Sequence, residues 1–76
     1  MIAAHMVQYF IDGEFRFSLF DADAFLMSEA EGKIHELMPN ATIRSTTTVY
    51  GTDFNQLKAA ACRYHRKTWP TFKVYG

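Results

Sequence analysis

Apolar and polar residues alternate around a single tight-turn signal near the start of the chain. Val7, Tyr9 and Ile11 lead into Asp12-Gly13, and Phe15, Phe17 and Leu19 follow at the same spacing of two. Apolar alternation on both sides of Asp-Gly predicts a β-hairpin. Two registers compete. A two-residue turn at Asp12-Gly13 pairs Phe10 with Phe15 and puts Val7, Tyr9 and Ile11 on the face opposite Phe15, Phe17 and Leu19. A three-residue loop, Ile11-Asp12-Gly13, pairs Tyr9 with Phe15 and Val7 with Phe17, gathering the large groups on one face. A one-residue slip exchanges the faces, so burial selects the three-residue loop unless both faces are covered.

The period then changes. Leu26, Ala30, Ile34 and Leu37, with Met27 and Met38, recur at helical spacing and predict a helix over 21–38, capped by Asp21 or Asp23 and ended by Pro39-Asn40. Gly32, in its middle, fits a close approach to the sheet. Residues 41–50 carry strand propensity, and Thr46-Thr47-Thr48 suits an edge. Gly51 breaks this strand. Asp53, with Gln56 three residues on, resembles a capping box opening a second helix, with Phe54, Leu57, Ala61 and Tyr64 inward. This helix fades near Lys67, and Trp69-Pro70 imposes extended geometry before a last strand, 71–75. The expected fold is α+β: a β-hairpin, then α-β-α-β, forming one mainly antiparallel sheet of about four strands with two helices on one face. Residues 1–76 make a single domain. The first five carry no pattern continuous with the hairpin and read as a non-native or disordered leader, with Met6 as the natural start.

Composition narrows the class. Of 76 residues, 49% are hydrophobic and 16% aromatic, with four Gly and two Pro, which favours a folded chain over a disordered one. No apolar run approaches the ~18 residues of a membrane span. The single cysteine, Cys62, excludes an internal disulfide, and scattered His5, His35 and His65 argue against structural zinc. With no signal peptide, span or disulfide, the chain reads as cytoplasmic.

Charge is the informative feature. The formal total is zero, yet residues 1–38 hold seven carboxylates against two cations and residues 39–76 hold one against six. Such asymmetry points to a charged partner. Arg63, Arg66 and Lys67 share an arc of the second helix, and with Lys73 and Trp69 they form the alternative reading, a nucleic-acid-binding face. Cations in a last turn and carboxylates in a first turn also simply complement helix dipoles.

Little in the chain carries chemistry. Cys62 and His65 stand three apart on a helix, but a thiol nucleophile also needs an oxyanion hole and a cleft. Glu31 and His35 are a helix-surface pair without a third metal ligand, and capping accounts for Asp21 and Asp23. Trp69-Pro70-Thr71-Phe72 resembles the proline segment of thioredoxin-like proteins. That family's cysteine pair is absent, and no role is carried over. No phosphate loop, dinucleotide fingerprint or nucleophile elbow occurs. The expected function is therefore a small non-catalytic interaction module of adaptor or inhibitor type, without cofactor, metal or small-molecule substrate. It binds a protein partner or a second copy through an open sheet face bearing Phe10 and Phe20, through the edge strand bearing Thr46, Thr48 and Tyr50, or through the charged helices.

Overall fold

The computed structural model describes residues 1–65 and 73–75. Asp12 and Gly13 both adopt positive φ, 52° and 75°. This is the backbone of a two-residue hairpin turn whose twist matches the strands it joins. It connects β1 (Ile2–Ile11) to β2 (Glu14–Asp21), with Phe10 opposite Phe15 and Met6 opposite Leu19. The three-residue loop is thus not adopted. Both hairpin faces are apolar, and the rest of the fold shows why this is stable.

Chain order continues with α1 (Met27–Leu37), β3 (Thr42–Gly51), α2 (Phe54–His65) and β4 (Lys73–Tyr75). The sheet runs β3-β1-β2-β4; β1 is antiparallel to both neighbours, and β4 is parallel to β2. The α+β architecture is the one expected, but the helices do not share a face. Ala30 and Ile34 of α1 pack with Val7, Tyr9 and Phe20, whereas Leu57 of α2 packs with Ala4, Met6, Phe17, Leu19 and Val49. Successive residues of a strand point to opposite faces, so each apolar set of the hairpin receives its own helix. A slip that gathered every large side chain on one face would strip the other helix of its contacts.

Residues Ile2–His5, set apart in the sequence as a leader, form the first half of the central strand; Ala4 is buried and faces Val49. The helix expected from residue 21 begins later. The Asp21 carboxylate accepts from the Asp23 amide at 2.9 Å, and the Asp21 carbonyl accepts from Ala24 and Phe25. This local turn satisfies the aspartate and delays the helix. The first turn of α1 is closed instead by Glu29, whose carboxylate accepts from the Leu26 amide at 2.9 Å. Gly32 lies on the exposed side of α1 with no atom of the described residues within 4 Å of where a Cβ would stand, so close sheet approach is not its role. Gly51 is different: a Cβ there would lie 2.9 Å from Cβ of Gln56, so the turn into α2 requires glycine. Asp53 caps α2 through the Gln56 amide at 2.9 Å, while the Gln56 side chain reaches back to the Thr52 amide at 2.8 Å. Phe54, expected inward, is exposed.

Candidate functional site

The strand β3 pairs with β1 along one side only, and no described strand pairs with its outer side. Among the described residues this ten-residue strand thus presents a row of amides and carbonyls unpaired by any strand, the standard template for pairing with another chain. Natural edges are usually guarded by lysine, proline or marked irregularity. Here the only charged residue is Arg44, at a register shift opposite Gln8 and Tyr9, and no proline interrupts the strand.

The register sorts the side chains. Thr46, Thr48 and Tyr50 stand opposite Val7, His5 and Ala3 and share the α1 side; Thr47 and Val49 stand opposite Met6 and Ala4 and share the α2 side. Two polar contacts fasten α1 and the segment leading into it beside this edge. The Thr46 hydroxyl donates to the Glu31 carboxylate. His5 bridges Thr48 Oγ1 at 3.1 Å from Nδ1 and the Phe25 carbonyl at 3.0 Å from Nε2. Tyr50 is 62% exposed at the far end of the row. Met27 precedes Glu31 by four residues, on the same helix stripe, and is itself partly exposed. On the opposite side, the Arg44 guanidinium lies 5.8 Å from the centre of the Phe15 ring.

Because the helices lie on opposite faces, the charge segregation of the sequence becomes a polarity across the sheet. α1 carries Glu29, Glu31 and Glu36 against Lys33, which pairs with Glu36 at 3.7 Å. α2 carries Lys58 and Arg63, both exposed, and no carboxylate. The edge of β3 therefore runs between an acidic helix and a basic one.

Of the residues singled out from sequence, Thr46, Thr48 and Tyr50 lie together on one side of this edge. Phe10 and Phe20 do not join them. Phe20 is fully buried in the α1-side core, edge-on to Phe25 at 5.1 Å and stacked on Tyr75 at 4.6 Å. Phe10, 40% exposed, lies on the other face against Phe15. The open face expected to carry both does not occur in this fold, since each face of the sheet holds a helix. For the nucleic-acid alternative, Arg63 is exposed on α2, while Arg66, Lys67, Trp69 and the side chain of Lys73 lie outside the described residues. The side chains of Cys62 and His65 do too. Glu31 engages Thr46 instead of sharing a ligand with His35, and no cluster of three metal-ligating side chains occurs among the described residues.

Sequence reasoning missed His5 and Glu31 as the groups that tie α1 and the segment leading into it to the edge. The pairing of Thr48 with His5 follows only from the β1–β3 register, which no local pattern encodes. A buried polar group was missed as well: Gln8 is buried on the α2 face, and its Nε2 has no hydrogen-bond partner among the described residues. No helix among the described residues is long and apolar enough to cross a membrane. Comparison of the chain with protein families, with curated proteins and with solved structures finds no match.

Proposed function

We propose that this protein is a non-catalytic interaction module that binds a protein partner through the outer edge of β3. The observation that supports this reading is the edge itself: ten residues of strand, unpaired on one side among the described residues, almost free of guarding charge and flanked by exposed Tyr50. Adding a strand there satisfies backbone groups on both chains, while side chains along the edge supply selectivity. A cytoplasmic setting, in keeping with one unpaired cysteine in 76 residues, belongs to the same proposal.

A selection from a random library of extended peptides tests it. Enriched peptides are titrated into isotopically labelled protein, and amide shifts are mapped. The reading expects the largest shifts along β3 and adjoining β1. Peptides that map to α2, or oligonucleotides that bind there with steep salt dependence, would support nucleic-acid or helix-face recognition in its place.

A further inference from the structure

The polarity across the sheet specifies the chemistry of the occupant. We infer that the β3 edge takes an extended peptide segment with two basic side chains four residues apart on the face toward α1, and an acidic one on the face toward α2. This rests on the edge-docking reading above and adds to it the identity of the ligand class.

The argument runs from strand geometry. Alternate side chains of an added strand point to opposite faces of the sheet, and directly opposed residues stand ~4.5–5.5 Å apart at Cβ. One set therefore passes Thr46, Thr48 and Tyr50, and the other passes Thr47 and Arg44. On the first side, Glu31 reaches the edge at Thr46, and it belongs to a helix with three carboxylates and one lysine. A cationic side chain opposite Thr46 meets that carboxylate in a partly desolvated place, where ion pairing is stronger than on open surface. Tyr50 stands four residues along the same side, ~14 Å away at strand rise. Its exposed ring is a platform for a second cation. On the other side stand Arg44 and a helix with no carboxylate, which favour an acidic side chain.

The same geometry argues against a second copy as the occupant. Pairing two β3 edges antiparallel about a twofold axis normal to the sheet keeps faces together. It would set α1 beside α1 and α2 beside α2, each juxtaposing like charges, and would place both Arg44 residues on one face. Nothing in β3 supplies the basic pair that Glu31 and Tyr50 favour.

The probe is a blocked ten-residue peptide of threonine and valine carrying two lysines four positions apart, with a glutamate beside one of them. Its isomer has the lysines three apart, which sends them to opposite faces. The inference expects the first peptide to bind at least tenfold more tightly, with shifts along β3, and Glu31→Gln or Tyr50→Ser to weaken it several-fold. N-methylation of alternate residues in one phase abolishes binding and in the other spares it, because an edge-added strand uses every second amide. Equal binding of the two isomers, while library-selected peptides still map to β3, overturns this inference alone. Failure of every peptide to shift β3 overturns the docking reading beneath it. A concentration-dependent mass abolished by Tyr50→Ser assigns the edge to a second copy and overturns the inference too.

Discussion

Phe10 stands directly across the hairpin from Phe15, their rings edge to face with centres 5.4 Å apart. That pair fixes the two-residue turn, and the turn depends on Gly13 at φ 75°. A β-carbon at this angle meets the following carbonyl, at a cost of roughly 1–2 kcal/mol. Gly13→Ala is therefore expected to lower the unfolding free energy by that amount, read as a fall in the urea midpoint, with the same Phe10–Phe15 contacts retained in nuclear Overhauser spectra.

Gly32 predicts the opposite sign. It is helical, exposed and free of close neighbours. Replacing it by alanine removes freedom from the unfolded chain without a clash, which raises stability by about 0.4–1 kcal/mol. Thermal melts of the two glycine variants, measured side by side, check both signs. A loss of stability in Gly32→Ala would show that α1 is packed on its outer side.

Gln8 is a cost inside the core. Its amide nitrogen is buried without a partner among the described residues, facing the same side as Phe17. Burying an unpaired donor costs about 1–3 kcal/mol, and methionine has nearly the same shape without the polar end. Gln8→Met should raise the unfolding free energy by about 1 kcal/mol or more with little change in the slope against denaturant. A destabilised variant would reveal that the amide serves the fold.

His5 makes a prediction about proton placement. The Phe25 carbonyl can only accept, so the Nε2 that faces it at 3.0 Å must carry hydrogen. In the neutral ring Nδ1 then accepts from the Thr48 hydroxyl. Nitrogen chemical shifts should report the Nε2-protonated tautomer, and Thr48→Val should leave the tautomer but loosen the ring. Observation of the Nδ1-protonated form would contradict this arrangement.

Tyr75 supplies a pH dependence. Burial beneath Phe20, and secondarily the neighbouring Tyr9 phenol, raise its pKa above the ordinary 10.0. The folded state thus holds its proton more firmly than the unfolded chain. The resulting stabilisation is complete below the unfolded value and is lost as pH rises through the higher folded one. Phenolate absorbance should show a late-titrating tyrosine that disappears in Tyr75→Phe, and stability should fall on the alkaline side of pH 10.0.

The local grammar of this chain was legible because it depends on neighbours in sequence. Asp12-Gly13 marks a turn by backbone sterics, Asp53 marks a helix start by a short side chain reaching a nearby amide, and Ala30 and Ile34 mark an inward stripe by helical period. Thr46-Thr47-Thr48 marked an edge by lacking apolar groups. Those signals specify element types, their order and the strand at the rim of the sheet.

Tertiary structure decided what local pattern left open. Whether Phe20 is surface or core depends on which face each helix covers, and that is settled by packing, since both apolar sets of the hairpin need burial at once. Residues 2–5 show no alternation of their own because a central strand flanked on both sides, with a helix on each face of the sheet, has no need of a polar side. The bridge from His5 to Thr48 spans 43 residues of chain, and the contact of Glu31 with Thr46 spans 15. Net charge by halves was a property of the sequence. Its conversion into an acidic and a basic side of one strand edge required the helices to lie on opposite faces, which only the three-dimensional competition for buried area could determine.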